Sequence, residues 1–235
     1  MPFCRRVFRI SEGNEMKRCV VFDMDGTLVN SYPGIFDSYA WTFQHLGIPF
    51  SGDAFVKKAI GAPLPWVFEH LCGLNALQTA AAIRYYRSYY AEKGKCGVTV
   101  YDGIGGMLKR LKHAGCLIGT ATLKKEVFAR EILEQFQLSS LFDLICGTDG
   151  RDSFTKAGLL RRCMNALSVL PEETVLVGDS LFDKEGAEEA GVDFLAVTYG
   201  FGFQTPEEQK QLPVGMTAAS AEEIADILLK GEKQG

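Results

Sequence analysis

CVVFDMDGTLVNS, residues 19–31, decides how this chain is read. Cys19 to Phe22 is a short apolar, β-branched run, the pattern of a buried strand. Asp23 closes it, Asp25 follows two positions later, and Gly26-Thr27 turns the chain. Two carboxylates just past the carboxyl end of a buried strand stand where open α/β sheets place their ligands. Buried side by side, they require a cation or a shared proton to compensate them.

Downstream of this stretch the pattern becomes helical. Ile35, Tyr39, Phe43 and Leu46 recur at helical spacing and Gly47 closes the run. Segments 54–60, 66–71 and 77–93 also read as helices, so 33–94 holds several helices and no clear strand. From Tyr101 the chain alternates helix and strand. Strands are expected at 116–119, 141–146, 174–177 and 194–197, with helices between them. Ser220 with Glu223 three residues later marks a capping box for a final helix. This alternation predicts an α/β fold with a parallel sheet flanked by helices on both faces.

Composition narrows the function classes. The 235 residues carry 25 basic and 29 acidic side chains, a net charge of −4, and 47% of them are hydrophobic. The charge pattern gives no reason to expect nucleic acid as a partner. Apolar runs fall short of the roughly 18 residues of a membrane span. Seven cysteines without a CxxC pair fit reduced core residues better than a disulfide framework, which points to a cytoplasmic protein. Residues 1–15 read as a loose tail, or Met16 as the natural start.

In a parallel sheet the ends of successive strands share one edge. Asp23, Thr120 and Asp179 end strands, Asp183 lies four residues past Asp179, and Lys156 follows the strand at 141–146. His45, His70 and His113 all fall within helices and are read as surface or packing residues. Oxygen donors without imidazole or thiolate suit a hard cation, Mg²⁺ above all. Thr120 and Lys156 are suited to phosphate oxygens, with N–H groups of Asp25, Gly26, Thr27 and Ala121 as further donors. A carboxylate also attacks phosphorus to give an aspartyl phosphate, and a second acid two residues away is suited to general acid/base work.

DMDGTL at 23–28, Thr120, Lys156 and GDSLFD at 178–183 resemble, in order, the four motifs of the haloacid dehalogenase superfamily. The resemblance spans roughly residues 17–230. It implies a Rossmann-like core (1–30 and 98–235) with a helical cap inserted at 31–97. By the same resemblance Asp23 is the nucleophile and Asp25 the general acid/base. Asp23, the Asp25 main-chain carbonyl and Asp179 bind Mg²⁺ with support from Asp183, and Thr120 and Lys156 hold the phosphate. Here the motif lysine is followed by alanine in TKAGLL, 155–160, where many relatives have proline. Lys124 and Lys125, which follow the second strand, are read as the start of a solvated helix face. SYPGI (31–35), IGAPL (60–64) and TYGFG (198–202) are similar to phosphoglycolate phosphatase-like proteins.

The expected activity is therefore Mg²⁺-dependent hydrolysis of a small phosphorylated metabolite, phosphoglycolate first, by a monomer or homodimer. A β-phosphoglucomutase-type phosphomutase and a 5′-nucleotidase are the enzyme alternatives, and a phosphate-sensing module is the non-enzyme one. Dehalogenation does not need the acid at position 25. Gly61, Arg84 and Arg87 are the cap residues offered as substrate contacts, and the tyrosines at 85, 86, 89 and 90 are read as cap packing.

Overall fold

The computed structural model describes residues 17–149, 154–210, 212 and 216–230; the tail expected at 1–15 lies outside the described residues. Strands are β1 (Cys19–Phe22), β2 (Val29–Asn30), β3 (Thr99–Val100), β4 (Leu117–Lys125), β5 (Leu144–Thr148), β6 (Thr174–Gly178), β7 (Asp193–Val197) and β8 (Thr217–Ala218). Helices are α1 (Tyr32–Leu46), α2 (Asp53–Ala59), α3 (Leu64–Trp66), α4 (Ala76–Glu92), α5 (Ile104–His113), α6 (Glu126–Gln135), α7 (Lys156–Leu167), α8 (Leu181–Ala190), α9 (Pro206–Gln209) and α10 (Ala221–Leu229).

Six strands form one sheet in the order β5-β4-β1-β6-β7-β8, every pair parallel. β1 is central because both of its faces are apolar. Val20 and Phe22 point into the cluster made with α5, α6 and α10, whereas Cys19 and Val21 point into the cluster made with α7 and α8. A strand covered on both faces has no polar alternation, which is why CVVF is uninterrupted. From β1 the chain steps outward through β4 and β5, then returns beside β1 as β6. That reversal is a topological switch point, and it opens a crevice at the carboxyl ends of these strands. The sheet is the α/β Rossmann-like architecture the sequence predicts.

Between β2 and β3 the chain builds a helical layer with an apolar core of its own. Tyr39, Phe43, Phe55, Val56, Phe68 and Tyr86 are among its buried members. α1 runs from Pro33 in its first turn to Gly47, whose φ of 66° gives a left-handed stop. α3 continues as a single π-helical stretch, Val67–Leu71. An Asn75–Gln78 capping box starts α4, which packs along α1. The two chain crossings that lead into and out of this layer pair with each other, Val29 with Val100 and Asn30 with Thr99, as an antiparallel ribbon.

Five strands depart from the expectations. β4 runs to Lys125 rather than stopping at Gly119, β5 spans 144–148, and the two-residue strands β2, β3 and β8 carry too few residues for a periodicity to show. Among the described residues Cys19, Cys72, Cys96, Cys116, Cys146 and Cys163 are not joined in disulfides. No described helix is long and apolar enough to cross a membrane.

Candidate active site

Asp23 is the first residue beyond β1 and Asp179 the first beyond β6. The Asp23 amide donates to the Val177 carbonyl at 2.9 Å, so the two strand ends stay in register. Two glycines let the backbone close around Asp179. A Cβ at Gly26, whose φ is +84°, would fall 2.1 Å from Asp179 Oδ2, and one at Gly200 would fall 2.4 Å from Asp179 Cβ. Asp179 Oδ2 accepts from the Phe201 amide at 2.7 Å and Oδ1 from Thr27 Oγ1 at 3.3 Å.

Asp183 is set by the start of α8. The Ser180 amide and hydroxyl donate to Asp183 Oδ2 at 3.1 and 2.6 Å, which leaves Oδ1 to Lys156 Nζ at 2.7 Å. Lys156 opens α7, whose first turn is capped by Thr155 accepting from the Gly158 amide at 3.0 Å. The helix therefore starts without the usual proline after the lysine. Lys156 Nζ also donates to Asp23 Oδ1 at 2.6 Å and to the Ala121 carbonyl at 2.8 Å. Gly186 makes room for this side chain, since a Cβ there would lie 2.5 Å from Lys156 Cγ.

Asp23, Asp179 and Asp183 are all buried, and bring carboxylate oxygens within 4.8 Å of one another. Burial pushes the Asp23 carboxyl up to about 7, against the pull of Lys156, and Asp183 and Asp25 raise it further. Burial, then Asp183 and Asp23, likewise push Asp179 well above the usual carboxylate range. Lys156 stays charged: burial lowers its pKa, but Asp183 and Asp23 outweigh that and raise it overall. Counting Asp25 and Lys124, four carboxylates face two ammonium groups, an excess of two negative charges once all four are ionised. An all-oxygen donor set with that excess, tucked where glycines 26 and 200 leave no room for a Cβ, fits a hard divalent cation.

Asp25 belongs to a second arrangement. Its Oδ1 accepts from Ser31 Oγ at 2.5 Å and its Oδ2 pairs with Lys124 Nζ at 2.9 Å. Lys124 also donates to the Tyr90 hydroxyl at 2.5 Å, and its side chain is 5% exposed. Burial draws its pKa down, while Asp25 and Tyr90 more than reverse that. The reading of Lys124 as part of a solvated helix face is thus corrected. The reason is a register irregularity. Ala121 and Lys125, four residues apart on β4, face Cys146 and Thr148, two apart on β5. The surplus residues bulge, and a bulge re-aims side chains that strand alternation cannot place.

Thr120 is corrected too: it precedes the bulge, paired in regular register with Ile145. Its hydroxyl donates to the Cys146 carbonyl at 3.1 Å and accepts from the Cys146 amide at 2.9 Å, so it serves the β4–β5 ladder. Thr122, two residues on and almost fully buried, is the threonine of this strand that lines the cavity. Ala121 contributes through its carbonyl to Lys156. The other expected residues divide. Gly61 and Arg87 line the cavity, whereas Arg84 is exposed and outside it. Tyr86 and Tyr90 are packing residues of the helical layer that also line the cavity. His45, His70 and His113 are exposed, each bonded to the carbonyl four residues back.

The cavity lies between the sheet edge and the helical layer and measures about 130 Å³. Asp23, Asp25, Thr122, Lys124 and Lys156 form its floor side. The helical layer supplies mainly apolar and aromatic walls, including Ile60, Leu64 and Tyr86.

A family model described as haloacid dehalogenase-like hydrolase matches residues 20–197. The chain belongs to the haloacid dehalogenase-like hydrolases. It is 33% identical to tyrosine-protein kinase PtkA of Mycobacterium tuberculosis, over 94% of this chain and 75% of that protein. It is also 33% identical to a 5′-nucleotidase of Pseudomonas aeruginosa, over 78% of this chain and 83% of that one. A phosphoglycolate phosphatase of Yersinia pestis is 31% identical, over 79% and 83%. Among solved structures, a predicted phosphatase from Clostridium acetobutylicum superimposes with a TM-score of 0.86 at 32% identity, covering 92% of this chain and all of that one. For this haloacid dehalogenase-like hydrolase, the residues that sequence reasoning missed are Thr122 and Lys124. The signal that marks them is the polar TATLKK run at 120–125, continuing a strand that should have ended.

Proposed function

We propose that this phosphoric monoester hydrolase removes phosphate from a small phosphorylated metabolite, with phosphoglycolate the leading candidate. The observation that carries the reading is the buried trio Asp23, Lys156 and Asp183, of which Asp23 and Lys156 line the cavity, with Asp179 alongside. Asp23 attacks phosphorus and forms an aspartyl phosphate. Asp25 protonates the departing oxygen, then takes a proton from the water that cleaves the acyl phosphate. Lys156 offsets the charge of Asp23 and Asp183 and orients the attacking oxygen. Thr122 supplies a hydroxyl to the transferring group. Asp23 and Asp179, with the Asp25 main-chain carbonyl, would hold Mg²⁺, and Asp183 would support them. Bound there, the ion neutralises charge that builds on the phosphoryl oxygens.

The helical layer acts as a cap over residues 31–97, closing on the core that the rest of the chain forms. A cavity of about 130 Å³ is small beside the roughly 300–1,000 Å³ of sites for larger ligands. That size suits a short acid phosphate better than a nucleotide or a hexose phosphate. Its apolar walls do not match the ring hydroxyls of a sugar, and Arg87 adds positive charge for an anionic group.

The test is phosphate release from a panel of phosphoglycolate, nucleoside monophosphates and hexose phosphates, with Mg²⁺ and with EDTA, in H₂¹⁸O. Phosphoglycolate should show the highest kcat/KM, EDTA should abolish turnover, and single turnover of the phosphorylated enzyme should place one labelled oxygen in the released phosphate. Nucleoside monophosphates as clearly preferred substrates would replace the reading with a nucleotidase. Isomerised sugar phosphate without free phosphate would replace it with a mutase.

A further inference from the structure

Lys124 is a buried cation that the phosphoryl-transfer steps above do not use. Its ammonium has two partners on different parts of the molecule. Asp25, in the loop after β1, pairs with it at 2.9 Å, and Tyr90, on α4 of the helical layer, accepts its hydrogen bond at 2.5 Å. Tyr90 is itself fixed. It stacks on Tyr86 with centroids 6.1 Å apart and planes 8° apart, and it packs on Phe128 of α6 at 5.6 Å. On the core side, the Lys124 amide donates to Thr122 Oγ1 at 3.2 Å, which fixes the bulged backbone from which the side chain leaves. Asp25 Oδ1 is held by Ser31, so the Lys124 contact determines where Oδ2 points.

We propose that Lys124 and Tyr90 form a positioning pair for Asp25, so that the acid/base carboxyl is aimed by a residue of the helical layer through one buried ammonium. The inference rests on the acid/base role proposed for Asp25. Both residues line the cavity, and in this role they act through Asp25. Removing either one leaves Asp25 in place chemically but free to turn about the Ser31 contact.

Phenyl phosphate and p-nitrophenyl phosphate test this, because they share a ring and differ in how basic the departing oxygen is. The parameter is kcat/KM, which reports the steps through transfer to Asp23 and not the later hydrolysis. Tyr90→Phe and Lys124→Met are each expected to lower kcat/KM for phenyl phosphate about tenfold and for p-nitrophenyl phosphate about twofold, a fraction of the ~10²–10⁴ that a whole general acid contributes. The double variant should lose no more than the worse single one, as for two parts of one device. Lys124→Arg should recover part of the loss on phenyl phosphate. Asp25→Asn is run beside them and should show the same split, larger. An equal loss on both esters, or none, in Tyr90→Phe and Lys124→Met while Asp25→Asn splits them overturns the positioning pair alone. No split in Asp25→Asn itself overturns the acid/base reading, and the pair with it.

Discussion

The cavity holds two buried ion pairs that differ in what surrounds them. Lys156 opens a helix and answers two carboxylates, Asp23 and Asp183, whose side chains are 7% and 1% exposed. Lys124 lies in a bulged strand and answers one carboxylate, Asp25, 16% exposed and held by Ser31 as well. The first pair is built entirely from the sheet core. The second reaches into the helical layer through Tyr90. One ammonium neutralises buried charge that cannot escape to water, and the other orients a group that water already partly solvates. The contrast teaches that similar distances, 2.6 and 2.9 Å, carry different energetic weight according to what each charge would face if the partner left.

Substitutions of the two carboxylates give the largest separation. Asp23→Asn preserves shape and removes the nucleophile, so turnover should fall for every ester by roughly four orders of magnitude or more, the scale seen when other hydrolases lose theirs. Circular dichroism and thermal melting should show the fold intact. Near-normal release of p-nitrophenol by this variant would collapse the distinction between the two aspartates and the aspartyl-phosphate mechanism with it.

Removing the lysines sharpens the comparison in stability rather than rate. Lys156→Met leaves Asp23 and Asp183 buried and unpaired, and urea unfolding in EDTA should report a loss of about 3–5 kcal/mol. Lys124→Met leaves Asp25 with Ser31 and some solvent, and the loss should stay below about 2 kcal/mol, within the range of a single hydrogen bond to a charged group. Equal losses would mean that burial does not distinguish the two sites.

The smallest effect is a pH dependence that the first pair shows through Asp23, with Asp179 beside it shifted in the same direction. In metal-free protein Asp23 keeps its proton up to about pH 7, whereas in the unfolded chain it releases it near 3.8. Between those values the folded state binds more protons, so Asp23 contributes a stability that falls as pH rises, by at most about 1.4 kcal/mol per pH unit. A cation that binds the ionised carboxylate competes with that proton. Mg²⁺ should therefore raise the melting temperature more at pH 7.5 than at pH 5.5. The same increment at both pH values would show that metal uptake is not linked to the proton on Asp23.

The legible part of the molecule was its sheet core. CVVF could be read because a strand buried on both faces leaves an unbroken apolar run. Asp23, Asp179, Asp183 and Lys156 could be read because they stand at strand and helix ends, where position along the chain fixes position along the sheet edge. Thr122 and Lys124 could not be read in that way. They sit inside a bulge, where alternation fails, and consecutive lysines ordinarily mark a solvated helix start. Arg84 and Arg87 are three apart on α4, and the choice between them depended on how the helix is rotated against the core, which tertiary packing sets. Tyr90 read as packing, correctly as far as its ring is concerned. Its hydroxyl acquires a role only because Lys124 arrives from a strand 34 residues away.

The paired ribbon of β2 and β3 has a consequence for how this architecture can change. Because Val29 and Val100 sit side by side, the core meets everything between them as a single short hairpin tip. Lengthening or exchanging that tip alters loop-closure entropy only logarithmically, about 0.6 kcal/mol per doubling. The sheet can therefore host a different helical layer without renegotiating its own strand order. What such an exchange would have to supply afresh is a phenolic oxygen within reach of Lys124, a ring to pack on Phe128 and new walls for the cavity, while the carboxylate floor beneath stays as it is.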